Sequence, residues 1–152
     1  NKAGGLTTLE EKSLGCIHKG GHRPVEEVYD YAKQMEYGKG LVIMDTPGND
    51  PSSVAGMAAG GCQLVLFSTG RGTPTGNPIA PVIKLTANPI TYGKMKDNID
   101  VDGSILLEHP EKMDEVADAL VAEIIDFANG KATKSESLGF YELAIARVCN
   151  YV

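Results

Sequence analysis

Tryptophan is missing from the 152 residues, and basic residues are the minority: 14 Lys and Arg stand against 20 Asp and Glu, a net charge of −6. A nucleic-acid groove needs a basic stripe, so no nucleic-acid partner is expected. The longest apolar runs are far too short to span a bilayer, and no signal-peptide pattern opens the chain. Neither a membrane nor an export route is therefore expected. The cysteines number three (Cys16, Cys62 and Cys149), an odd count without framework spacing. They read as reduced thiols of a cytoplasmic protein. No paired CxxC occurs, which argues against an iron–sulfur cluster held by this chain alone. Gly70-x-Gly72-x-x-x-Gly76 has the wrong spacing for a dinucleotide fingerprint. Internal repeats, low-complexity tracts and interdomain linkers are lacking too. The length fits one domain with a real core. The chain opens at Asn1 in a Gly-rich stretch, as expected of a piece of something longer.

What is present is an alternation of short apolar runs and turn residues. Thr7-Thr8-Leu9-Glu10-Glu11 carries two overlapping capping-box patterns and predicts a helix that Gly20-Gly21 stops. Pro24 to Met35 reads as a weaker helix or a loop. Leu41 to Asp45 is a continuous apolar run ending in an acid, typical of a strand buried on both faces. Asp50-Pro51 predicts a helix start, with Asp50 as cap and Pro51 at the first position. Gln63 to Phe67 and Pro81 to Leu85 are the second and third strands, and Pro89 to Asp97 is a helix after Asn88. His109-Pro110 opens the longest helix, which ends near Gly130. Its stripe from Met113 to Phe127-Ala128 reads as core rather than a cofactor box. The tail from Tyr141 to Val152 is ambiguous between strand and helix. This order predicts an open, parallel, three-layer α/β sheet.

The most informative stretch is Ser68-Thr69-Gly70-Arg71-Gly72-Thr73-Pro74-Thr75-Gly76, directly after the second strand. Ligands of open parallel sheets bind outside the carboxyl ends of strands. A loop there with one arginine, threonine hydroxyls and backbone N–H groups suits an oxyanion. It points to a small acidic substrate; a loop held by its own structural hydrogen bonds is the alternative. Lys84 and Asn88 flank the third strand, where either reaches the same pocket if the strands are adjacent. A solvated side chain is the other reading of Lys84. Asp45 sits at the end of the first strand, as a ligand-orienting acid or a turn former.

Three separated motifs resemble one family. Gly4-Gly5-Leu6-Thr7-Thr8-Leu9-Glu10-Glu11-Lys12-Ser13-Leu14-Gly15, Gly48-Asn49-Asp50-Pro51 and Thr69-Gly70-Arg71-Gly72-Thr73-Pro74 look like the altronate dehydratase and galactarate dehydratase family, whose relatives include the large subunit of sulfolactate sulfo-lyase. The resemblance implies a cytoplasmic sugar-acid dehydratase that uses a divalent metal, Fe(II) or Mn(II). It also implies a Rossmann-like catalytic region, of which residues 1–152 are the C-terminal portion. The expected partners are then the sugar-acid substrate, the upstream domains of the parent enzyme and a second copy in a homodimer.

Dehydrating a 2,3-dihydroxy acid removes a weakly acidic proton alpha to the carboxylate. The enediolate needs charge stabilisation, which a divalent metal supplies as Lewis acid. A base takes the proton and an acid assists the departing β-hydroxyl. Under this resemblance Lys12 and His18 are the expected catalytic groups, and Glu11, Cys16 and Asp45 the expected metal donors. Thr69, Arg71, Thr73 and Asn88 are the expected substrate-binding set. On a continuous helix Cys16 and His18 point about 200° apart, so joint ligation requires the helix to end early. The plainer reading of this segment is a surface helix with capping glutamates and a buried Cys16.

Overall fold

A computed structural model describes residues 7–36, 38 and 40–144 of the chain. Helix α1, Leu9–Lys19, begins with the expected capping box: Thr8 Oγ1 accepts from the Glu11 N–H and the Glu11 carboxylate accepts from the Thr8 N–H. Gly20 ends it, and none of its residues is buried. Strand β1, Val25–Tyr29, occupies the segment expected to be helix or loop. Its Val and Tyr residues suit a pleated surface, and pairing with a neighbour overrides a weak helical period. That neighbour is β2, Leu41–Met44, parallel to β1 with Val28 opposite Ile43 and Tyr29 opposite Met44.

Helix α2, Asp50–Ala59, corrects the expected cap. Asn49 in an extended conformation accepts from the Ser52 N–H, so Asp50 takes the first helical position and Pro51 the second. Either position tolerates proline, because N–H groups of the first turn have no intrahelical partner. The helix buries Val54 against β3, Val65–Ser68, and β4, Val82–Thr86. Val54, Val65 and Val82 form the small core, with Met57 and Phe67 packed on it.

Strands β3 and β4 are parallel, with Phe67 opposite Lys84 and Ser68 opposite Leu85. A two-residue β5, Val101–Asp102, adds to the far edge of β4, also parallel. The parallel α/β expectation is borne out. The described strands divide between two ladders, β1–β2 and β3–β4–β5. Helix α3, Pro89–Lys94, follows β4 with Asn88 as its cap and is shorter than expected.

The helix expected to run from His109 is found, opening on a 3-10 turn and preceded by a short helix that was not expected. Helix α4, Ile105–Glu108, precedes one 3-10 turn at Pro110–Lys112; α5, Met113–Ala128, follows. Pro110 lacks an N–H and cannot continue the preceding helix. The stripe of α5, expected as core, is mostly uncovered. Phe127 is its only buried residue, whereas Met113 and Val121 are each 54% exposed. Periodicity reports an apolar face and says nothing of what covers it. Helix α6, Lys134–Ser137, closes the described fold with a second capping box between Thr133 and Glu136. No helix among the described residues is long and apolar enough to cross a membrane. Cys149, and residues 145–152 of the tail whose structure was ambiguous, lie outside the described residues, as does the Gly4-Gly5-Leu6 start of the first motif.

Candidate functional site

The carboxyl ends of β3 and β4 hold the glycine-rich loop, as expected. Thr69 N donates to Leu85 O at 2.9 Å, which carries the ladder one residue beyond β3. Thr69 Oγ1 then accepts from the Gly72 N–H at 3.0 Å and curls the chain back. The Gly70 carbonyl accepts from Thr91 Oγ1 at 2.7 Å and Asn88 Nδ2 at 3.3 Å, so α3 clamps the loop tip. The other end of the Asn88 amide caps α3, accepting from the Ile90 and Thr91 N–H groups. Gly72 has φ +87, and a Cβ there would collide with Met95 Sδ. Only glycine meets both demands without strain.

The four expected substrate-binding residues thus divide. Thr69 and Asn88 lie on either side of Gly70 and shape the loop. Thr73 is 3% exposed and faces inward: its hydroxyl pairs with Thr75 Oγ1 at 2.8 Å and accepts from the Thr75 N–H. Arg71 alone of the four presents an exposed side chain, and none of the ion pairs among the described residues engages it. A guanidinium held on a braced loop and facing outward suits a bidentate grip on a carboxylate.

Behind the loop lies a group that sequence reasoning left between two roles. Lys84 is 0% exposed, neither solvated nor lining an open pocket. Its ammonium donates to Thr75 O at 3.3 Å and to Ser135 Oγ, and lies 3.7 Å from Asp100 Oδ2. The Asp100 side chain is 2% exposed. Its two carboxylate oxygens accept from the Lys84 and Lys134 backbone N–H groups, each at 2.8 Å. Burial pushes the Lys84 pKa below the ordinary lysine value, and the Asp100 charge opposes that shift. The signal that could have found it is Pro81-Val82-Ile83-Lys84-Leu85: one lysine inside an otherwise apolar strand.

The expected catalytic and metal residues of the first helix do not join this constellation. Glu11 is committed to its own N-terminus, accepting from Thr7 N at 2.5 Å, Thr7 Oγ1 at 2.7 Å and Thr8 N at 3.2 Å. The Thr7 hydroxyl, followed by the backbone donors, holds its carboxyl below the usual carboxylate pKa. Cys16 is exposed rather than buried, and Lys12 and His18 are exposed on the same helix, which runs on to Lys19 without the early end that joint ligation required. Asp45 is exposed just past β2. Among the described residues no group of three or more His, Cys, Asp or Glu is placed to hold a metal ion. The donors present do not fit a metal site on their own. His109 is exposed, with Nδ1 2.9 Å from the Glu111 carboxylate, in keeping with a surface role. Cys62 is partly buried, which pushes its thiol pKa up.

Residues 1–150 match the family described as D-galactarate/Altronate dehydratase, C-terminal. The altronate dehydratase of Escherichia coli (strain K12) is 43% identical over 145 residues, which are 95% of this chain and 29% of that protein. The (2R)-sulfolactate sulfo-lyase subunit beta of Chromohalobacter salexigens is 43% identical over 149 residues, 97% of this chain and 38% of the subunit. The galactarate dehydratase (L-threo-forming) of Escherichia coli (strain K12) is 34% identical over 147 residues, 95% of this chain and 28% of that protein. The chain therefore spans from 28% to 38% of the length of these relatives.

Proposed function

Since this chain belongs to the D-galactarate/altronate dehydratase C-terminal family, we propose that it is the C-terminal part of an enzyme that eliminates water from a sugar acid. Altronate is the first substrate and galactarate the second, in the order of identity to the dehydratases that bear those names. The observation that carries the reading is the Thr69–Gly76 loop at the carboxyl end of β3, with Arg71 outward and its backbone braced by Asn88 and Thr91. In this reading Arg71 grips the substrate carboxylate and so fixes the alpha carbon for proton removal. Thr69 and Asn88 hold the loop that carries it. Lys12 and His18, exposed on α1, are the proposed proton-moving groups of the chain, brought to the substrate where the parent protein sets α1 against the loop.

A divalent metal, Fe(II) or Mn(II), belongs to the proposal only as an ion whose ligands lie mainly outside the described residues. The parent protein's remaining segments are the proposed partners, together with a second copy. The half-exposed stripe of α5 supports an apolar contact with one of them.

A second reading has its own support, because a sulfo-lyase subunit matches as well as the altronate enzyme does. Both names fit one elimination: a proton leaves the carbon alpha to the carboxylate, and the β-substituent departs with its bonding pair. The leaving group is hydroxide in one case and sulfite in the other. Turnover by the full-length protein with Fe(II) or Mn(II) separates them. Formation of a 2-oxo-3-deoxy acid from altronate or galactarate supports the dehydratase reading. Sulfite release from sulfolactate, with neither sugar acid consumed, replaces it with the second. Turnover of none of the three overturns both.

A further inference from the structure

A lysine with no exposed surface cannot touch substrate, and an apolar residue in its place would escape the desolvation cost of an internal ammonium. Its partners show what the charge holds. Thr75 belongs to the loop, Ser135 to α6 and Asp100 to the turn before β5. The segment from Thr73 to Asn77 has no regular structure, and Lys84 is the one charged side chain hydrogen-bonded to it among the described residues. Asn77 closes that segment by accepting from the Ile79 and Ala80 N–H groups. Gly76 packs so tightly against Phe140 O and Ser135 that a Cβ has no room.

Arg71 therefore lies between two pins. On one side, Asn88 and Thr91 hold the Gly70 carbonyl. On the other, Lys84 holds the Thr75 carbonyl, and Thr75 holds Thr73 through its hydroxyl and N–H. Between the pins is Gly72, in a left-handed conformation that turns easily if one of them is lost. We infer that Lys84 is a positioning residue: from inside the fold it fixes the Thr73–Asn77 half of the loop and thereby the placement of the substrate-gripping Arg71. The inference rests on the functional reading above.

The test is steady-state kinetics of the full-length protein on altronate and galactarate, comparing wild type with Lys84→Met and Ser135→Ala. KM does not depend on how much of a sample is folded, so it separates positioning from mere stabilisation. Lys84→Met is expected to raise KM about tenfold, as a displaced grip weakens substrate binding, with a loss of kcat per folded molecule added where the alpha carbon moves off line. Ser135→Ala removes one acceptor and leaves both charges in place; it is expected to raise KM about threefold. If Lys84→Met yields no folded enzyme, Ser135→Ala decides. Unchanged KM in the variants, with wild type active, overturns the role of Lys84 and leaves the dehydratase reading standing. A wild type that turns over neither substrate overturns that reading and the role of Lys84 with it.

Discussion

Replacing Lys84 by Met removes one half of an internal ion pair while keeping most of its volume. Deleting one partner of a buried pair costs about 3–5 kcal/mol, because the other charge stays behind uncompensated. The geometry around Asp100 sets the expectation at the lower end. Its two oxygens keep the Lys84 and Lys134 backbone N–H groups at 2.8 Å, so the carboxylate remains hydrogen-bonded. Thr75 O and Ser135 Oγ lose the ammonium but retain each other at 3.4 Å. A destabilisation of about 3 kcal/mol follows. Asp100→Ala is expected to cost more, since it strands the ammonium and both N–H groups together. The assay is urea unfolding followed by far-UV circular dichroism, because the chain has no tryptophan to report fluorescence. If the Lys84→Met midpoint shift corresponds to less than about 0.5 kcal/mol, or Asp100→Ala proves the milder change, the polar hub does not hold the fold as argued.

Further expectations concern the same elements. The lowered Lys84 pKa means that, between its folded value and the ordinary lysine value, the unfolded chain binds more protons. This group's contribution to stability therefore rises with pH across that window. A wild-type minus Lys84→Met stability difference that stays flat with pH there would contradict it. Glu11 has the opposite character: its depressed pKa adds stability above the ordinary carboxylate value, and this is lost as pH falls through the folded value. Acid titration by circular dichroism should show an α1 helicity loss that Glu11→Gln lacks, and superimposable curves would count against the cap. Gly72→Ala should destabilise by about 1–3 kcal/mol, through its left-handed backbone and the Met95 contact. An unchanged midpoint in thermal unfolding would rule out that strain.

Much of the fold was legible in the sequence. Apolar runs bounded by glycine and proline located β2, β3 and β4, and the Thr8–Glu11 capping box located α1. The strand β1 was not legible, because Val25-Glu26-Glu27-Val28-Tyr29 has neither clean alternation nor a continuous apolar run. Its identity comes from pairing with β2, a long-range fact. The α5 stripe was legible as an apolar face, but its exposure among the described residues was not, because amphipathicity marks a face and leaves its partner unnamed. At the site, glycine density and a post-strand position pointed to the Arg71 loop. The inward turn of Thr73 rests on its pairing with Thr75, and the partners that hold the Lys84 ammonium, Ser135 and Asp100, come from distant segments that no local pattern names.

Arg71 carries the central claim, and its removal tests that claim most directly. The measurement is kcat/KM of the full-length protein on altronate and galactarate, for wild type and Arg71→Ala. Loss of one charge-assisted hydrogen-bonding group should lower kcat/KM by about tenfold or more on both substrates, with circular dichroism unchanged because the side chain is exposed. An Arg71→Ala enzyme with wild-type kcat/KM would remove the loop's one outward charge from the site and contradict the account.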